Sequence, residues 1–390
     1  MRALRASQAF DGERFIGPVD VVLDDDGRIA EVSLCREHGS AVPVEDLGEA
    51  TLLPGLIDAH QHLSWSCSPD PLGWHEASDD ATLLETGSTN ANRALAAGIT
   101  TVRDLGARGR VALDLRDKFA GDPSSGPRVL AAGAALTTVG GHCHFLGGEC
   151  SDLDELVAAV GRLADSGVDV IKVMATGGNV TPGSLPHESQ FGAAELRAVV
   201  EAARARGLPV AAHAHGTGGV VDALDAGVDT IEHCTFMTAE GIAQDPALIE
   251  RLAASGTPVV LTAGSLPGPM VPAIAARMPA LLAHVGAMLG GGVRCVLATD
   301  AGIGPPKPHD VLVLAVLQVG EMVGVPTAQA LTMCTSRAAD ALAIGDEAGR
   351  LLPGRAADLL AVDGRLDVDP GALSRPVRVL RRGIDVLVGA

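Results

Sequence analysis

Between residues 54 and 349 the chain alternates strand-like and helix-like segments about eight times without a long break, and this most restricts its fold. Short apolar, strand-like runs recur at Leu56–Ala59, Thr100–Leu105, Arg128–Ala132, Val170–Ala175, Pro209–Ala212, Thr230–Glu232, Pro258–Leu261 and Cys295–Ala298. The intervening segments carry helical signals. Leu153, Leu156, Val157, Val160, Leu163 and Ala164 repeat at helical spacing, Ser151 with Asp154 resembles a capping box, and Gly167 supplies a stop. Strand–helix alternation builds a parallel sheet, and eight units favour a closed barrel over a doubly wound one. The expected fold class is therefore α/β, a (β/α)8 TIM-like barrel.

The chain's 390 residues exceed what such a barrel needs, which is about 250. The surplus lies at both ends. Near the N-terminus, Val19–Leu23 is an apolar run, Asp24 to Gly27 reads as a turn, and Arg28–Leu34 alternates. Near the C-terminus, the segment Gly349 to Asp358 leads into Leu359–Val362, followed by Val377–Leu380 and Ile384–Val388. These segments predict one composite β-sandwich domain, residues 1–53 with 350–390, flanking a barrel domain of residues 54–349.

Charge and composition narrow the functional classes. A formal net charge of −19 opposes binding to a phosphate backbone, which requires Lys and Arg to displace counterions. With no Tyr, six Phe and two Trp, base-stacking platforms are also poorly supplied, so no nucleic-acid partner is expected. No apolar run reaches the roughly 18 residues of a membrane span, and the first residues lack a signal-peptide core. The expectation is a cytoplasmic protein with no membrane partner. Seven scattered cysteines, odd in number and without a Cys-x-x-Cys pair, do not form a disulfide framework.

The chemistry sits at the ends of the apolar runs. Leu53-Pro54-Gly55-Leu56-Ile57-Asp58-Ala59 leads into His60-Gln61-His62. On a strand, residues i and i+2 share a face, so two imidazoles would aim at one point, as a metal-ligand pair does. His213 and His215 repeat this pattern, His233 ends Thr230-Ile231-Glu232, and Asp300 ends Val296 to Thr299. Any one such residue has an ordinary structural reading: a hydrogen-bonded histidine, or an aspartate capping the next helix. Several at the ends of successive parallel strands converge at the C-terminal mouth of a barrel, where active sites of this fold lie. Lys172 stands inside the apolar run Val170 to Ala175. Burial would lower its pKa and free a neutral amine. Such an amine can capture carbon dioxide as a carbamate, whose two oxygens can bridge two cations. The ordinary alternative is a strand-edge lysine in a salt bridge.

The ordered set His60-x-His62, Lys172, His213, His233 and Asp300 resembles the amidohydrolase superfamily, in its branch of binuclear metal hydrolases. The stretches Asp169 to Gly178 and Ile231-Glu232-His233 are similar to the prolidase-like and imidazolonepropionase-related group. The resemblance implies that His60, His62 and Asp300 hold a deeper metal and that His213 and His233 hold an outer one. Carboxylated Lys172 and a hydroxide bridge them. Zinc suits this donor set. Catalysis would fall to Asp300, as proton shuttle, and to Lys172. His215 is the alternative to His213 as ligand and otherwise a substrate contact. His142 and His144, in the loop Gly140 to Glu149, are further candidates for substrate binding, as are His187 and Trp74. Three adjacent residues, His142-Cys143-His144, cannot easily converge on one ion. Arg103 and Asp104 read as a structural ion pair.

The function expected from the resemblance is metal-dependent hydrolysis of the amide or peptide C–N bond of a peptide or N-acyl amino acid. A modified peptide from a biosynthetic pathway is one such substrate. One alternative is a cyclic-amide hydrolase or deaminase of the imidazolonepropionase type. The resemblance associates deaminases with a Glu shortly after the fifth-strand histidine, where this chain has Ala214-His215-Gly216. The other alternative is a non-catalytic metal-binding barrel. A homo-oligomer is compatible with all three readings.

Overall fold

The computed structural model describes residues 1–34, 42–270 and 272–386. Val388, named above, and one of the seven cysteines, Cys35, lie outside these. Eight parallel strands carry the middle of the chain: β1 (Leu56–Gln61), β2 (Ile99–Asp104), β3 (Arg128–Ala131), β4 (Ile171–Met174), β5 (Val210–Gly216), β6 (Thr230–Met237), β7 (Val259–Thr262) and β8 (Cys295–Ala298). They form a three-stranded sheet ordered β3-β2-β1 and a five-stranded sheet ordered β4-β5-β6-β7-β8. Every pairing within them is parallel. The facing edges of the two sheets also exchange hydrogen bonds. Asp300 N donates to the His60 carbonyl at 2.8 Å and His62 N to that of Ala301 at 3.0 Å, while Leu136 N donates to Lys172 at 2.8 Å.

The expected strands are all present, with shifted ends. β1, β5 and β6 run further than the apolar runs suggested, so His60, His213, His215 and His233 lie inside strands rather than after them. A histidine ends an apolar run in hydropathy without ending the backbone ladder. The helix expected after residue 151 spans Leu153–Ser166 and stops at Gly167, whose φ of 86° suits glycine. Its cap differs from the expectation. The Asp152 side chain accepts from Glu155 N at 2.9 Å, and Glu155 reaches back to Ser151 N at 2.9 Å.

The chain ends meet. A six-stranded sheet orders Ile384–Val386, Pro376–Arg381, Leu359–Asp363, Ala50–Pro54, Gln8–Phe10 and Phe15–Ile16, with Leu359–Asp363 antiparallel to Ala50–Pro54. A four-stranded sheet is built from Ile29–Leu34, Val19–Leu23, Arg2–Ala6 and Val44–Asp46. Leu4, Val21, Ile29, Leu52, Leu359 and Leu380 share one buried apolar cluster drawn from both sheets. Ala50–Pro54 runs on through Gly55 into β1, so this layer anchors the N-terminal end of the strand that carries His60. A Cβ on Gly55 would lie 2.1 Å from Thr100 Oγ1, so only glycine fits at this junction. The six cysteines of the described residues are all unpaired, and no helix there is long and apolar enough to cross a membrane.

Candidate metal centre

The strand ends bring two groups of ligand-type side chains together. His60, His62 and Asp300 form one, and His213, His215 and His233 the other. Within each group, one potential ligand atom per residue lies within 4.8 Å of the others. His60 Nε2 is 3.4 Å and His62 Nε2 3.2 Å from Asp300 Oδ1. The two groups adjoin, with the rings of His60 and His233 centred 4.9 Å apart.

Each imidazole is oriented through its other nitrogen. His60 Nδ1–H donates to Glu232 Oε2 at 2.8 Å, which leaves Nε2 as the lone-pair nitrogen beside Asp300. His213 Nε2–H donates to the Gly177 carbonyl at 3.0 Å, leaving Nδ1. His215 Nδ1 lies 3.0 Å from Thr235 Oγ1, and His233 Nδ1 lies 2.9 Å from Thr262 Oγ1. Burial is the largest influence on these rings. It holds His60 and His215 at about 4, and His213 and His233 well below the usual value, so all four are neutral at physiological pH. Asp300 behaves oppositely. Burial alone would raise its pKa, but the hydrogen bond from His62 and the charges of His62 and Lys307 outweigh it and keep the carboxylate ionised. Four neutral imidazoles and an ionised carboxylate are in the protonation states that a metal requires of its ligands, whereas His62, raised by Asp300 against its burial, would release its proton on binding one.

Lys172 is 1% exposed, and its Nζ has no hydrogen-bond partner. Burial lowers the ammonium from its usual 10.5 to about 8. It lines the same cavity as His60, His62, His213, His233 and Asp300. A buried, unpartnered amine is costly by itself, and its place between two donor groups suits an added carboxyl. The donor set and the orphaned nitrogen fit a metal centre.

Backbone strain collects here. Asp300, His233, Cys234 and Phe236 have φ of 61°, 66°, 50° and 53°, a region that non-glycine residues seldom occupy.

The substrate candidates separate. His142 lines the cavity, is 4% exposed, and its Nδ1 lacks a partner. Gln190 Oε1 accepts from His142 N at 2.6 Å, and Thr181 Oγ1 accepts from Cys143 N at 2.8 Å, which fixes this loop over the centre. A Cβ on Gly178 would lie 2.3 Å from His142 Nε2, so glycine makes room for the ring. His215 falls within the three-histidine group. His144 is part-exposed, 3.9 Å from Glu149. His187 packs its backbone against Gly216, and Trp74 packs against the main apolar core. Among His144, His187 and Trp74, none lines the cavity; Trp65 does. The cavity measures about 30 Å3, room for a few water-sized species.

The Arg103–Asp104 ion pair does not form. Arg103 turns inward, donating to Glu232 Oε1 and the Ala59 carbonyl at 2.8 and 2.7 Å, while Asp104 accepts from Leu63 N and Gly106 N. Adjacent strand residues point to opposite faces, which prevents their pairing. Glu232 was overlooked as a functional residue. Its signal was the one that identified Lys172, a charged side chain inside an apolar strand.

A model of the amidohydrolase family matches residues 51–388. Ochratoxinase of Aspergillus niger is 28% identical over 352 residues, spanning 80% of this chain and 70% of the relative. Imidazolonepropionase of Deinococcus deserti is 26% identical over 373 residues, spanning 87% and 84%. A solved Xaa-Pro dipeptidase with methionine bound in its active site is 27% identical with a TM-score of 0.84, covering 98% of this chain and 99% of that one.

Proposed function

The chain belongs to the amidohydrolase family, a metal-dependent family, and hydrolyses amide or peptide C–N bonds; we propose that its substrate is a peptide or N-acyl amino acid and that its metal is zinc, in a pair. Lys172 carries this reading. Its amine is buried, unpartnered and beside both donor groups, which supports a carboxylated lysine bridging two ions. His60, His62 and Asp300 would hold one ion, and His213 with His233 the other. The hydrogen bonds across the facing sheet edges support reading the two sheets as one closed eight-stranded barrel over residues 54–349. Residues 1–53 and 350–390 would then form a composite β-sandwich domain.

Two cations bound there would polarise the scissile carbonyl and lower the pKa of water. The protein's own residues do the rest. Glu232 holds the His60 ring with Nε2 toward the cavity. The ionised Asp300 carboxylate accepts the proton of the attacking water and passes it to the leaving nitrogen, so the amine departs neutral. His142 presents its unpartnered Nδ1 to the substrate carbonyl, held by Gln190. The apolar wall of Trp65, Met174, Val180 and Ile303 excludes bulk water and suits an apolar group flanking the bond.

The test is mass spectrometry of a library of dipeptides and N-acyl amino acids incubated with zinc-loaded protein and with chelator-treated protein. Addition of water with scission into two fragments, only in the loaded sample, is the expected result. Ammonia release, or opening of a ring without scission, would replace it with the deaminase or cyclic-amide reading.

A further inference from the structure

The loop after β8 contains a basic segment, Lys307-Pro308-His309, that the proposed chemistry does not use. Lys307 Nζ donates to the Thr299 carbonyl at 2.5 Å and lies 3.5 Å from the Thr262 carbonyl. These two carbonyls stand at the ends of β8 and β7. Thr299 immediately precedes Asp300, and the hydroxyl of Thr262 is the one beside His233 Nδ1. Two residues on, His309 is fully buried, and its Nε2–H donates to the His62 carbonyl at 3.0 Å. The His309 carbonyl in turn accepts from Gln61 Nε2 at 3.0 Å. Two residues of one loop, Lys307 and His309, thus grip the ends of β7, β8 and β1, on both sides of the line where β8 meets β1.

The grip falls beside a strained turn. Asp300 is left-handed at φ 61°. The Thr299–Asp300–Ala301 turn is pinned from below by Asp58, whose carboxylate accepts from Thr299 N at 3.1 Å and Thr299 Oγ1 at 2.6 Å. Backbone bonds to β1, from Asp300 N to the His60 carbonyl and from His62 N to the Ala301 carbonyl, hold it on one side, and Lys307 adds a side-chain bond to the Thr299 carbonyl. The loop is itself braced, since Gly302 N donates to the Lys307 carbonyl at 2.9 Å. A Cβ on Gly302 would lie 2.6 Å from the His62 carbonyl, so the loop can approach β1 this closely only with glycine there.

We propose that Lys307 and His309 are positioning residues that set the backbone of Asp300 and His62, and through it the geometry of the His60–His62–Asp300 ion site. This rests on reading that triad as a metal site.

The experiment is titration of metal-free, full-length protein with Co2+, followed by visible absorption and dialysis, for wild type, Lys307→Met, Lys307→Arg and His309→Phe. Thermal unfolding without metal is recorded for each. Lys307→Met is expected to bind the tighter cobalt ion about 10-fold more weakly with an altered visible band, at a Tm within a few degrees of wild type. Lys307→Arg, which keeps donors within reach of the same carbonyls, should recover most of the affinity. Wild-type affinity and spectrum in both Lys307→Met and His309→Phe would overturn the proposal, as would a fall in Tm with the spectrum unchanged. If Lys307→Met does not fold, Lys307→Gln is judged by the same criteria. Failure of the wild type to take up cobalt would instead refute the metal reading.

Discussion

Replacing Lys172 with methionine should make the metal-free protein more stable while abolishing its activity. Methionine keeps the length and volume of the lysine stem and removes the amine. In the folded chain burial lowers that amine to about 8, against 10.5 in the unfolded chain. At pH 7 both states carry the proton, and the folded state bears the full penalty, about 3 kcal/mol at about 1.4 kcal/mol per unit. Between about 8 and 10.5 the folded amine is neutral while the unfolded one is still charged, so unfolding takes up a proton and stability rises with pH. By pH 10 less than about 1 kcal/mol of the penalty remains. With an unfolding entropy near 2.1 cal/mol/K per residue, about 3 kcal/mol corresponds to a Tm gain of about 4 °C at this length. The assay is thermal unfolding in chelator and carbonate-free buffer, at pH 7 and pH 10, for wild type and Lys172→Met. The variant should melt higher at pH 7, with the gap mostly closed at pH 10, and should show no turnover when zinc is restored. An equal gap at both pH values, or a variant that melts lower at pH 7, would refute the claim that the buried amine is a strained functional group.

Glu232→Gln leaves Arg103 buried without its carboxylate and loosens His60; zinc affinity should fall about 10-fold or more, with about 3 kcal/mol lost in stability, measured by metal analysis after dialysis and by urea unfolding. Unchanged zinc content would remove Glu232 from the centre. His142→Ala should lower kcat/KM about 100-fold with zinc content intact, and a simultaneous loss of metal would make His142 a ligand instead. Acid should destabilise the metal-free protein. His60, His75, His215 and His309 are each lowered from 6.5 to about 4, chiefly by burial. Unfolding therefore takes up protons between those values, and stability is lost as pH falls from 6.5 toward 4. His62, whose pKa is raised by Asp300 against its burial, and Asp58, raised by burial to about 6, work in the other direction, but the lowered rings, with His142, His213 and His233 added, outnumber them. A Tm that stays flat from pH 6.5 to 4.5 would contradict this.

The strand–helix rhythm was legible in the residues alone, and so was the convergence of His60, His62 and Asp300 and of His213 and His233. The physical reason is periodic. A buried parallel strand is an apolar run, and a His, Lys or Asp that interrupts or ends one stands out against it. The same signal marked Glu232, but a single charge inside a strand does not announce its partner. Arg103 meets Glu232 across about 130 positions of sequence, a contact that exists only once β2 and β6 face the same interior. His215 illustrates the opposite limit. Its spacing allowed it to stand with His213 or to turn toward substrate, and only the packed rings, 4.7 and 4.4 Å from those of His213 and His233, place it within that group. The loops were least readable. Trp74, His144 and His187 have the chemistry of substrate contacts but lie away from the cavity, while Gln190, Lys307 and His309 orient the site from positions that no repeat marks. What the sequence determined by itself is which ligand-type side chains interrupt or end the apolar strand runs, since strand geometry is local. The tertiary structure alone decided which loop closes over them and which buried donor holds each ligand in place, because those hydrogen bonds join segments that share no local pattern.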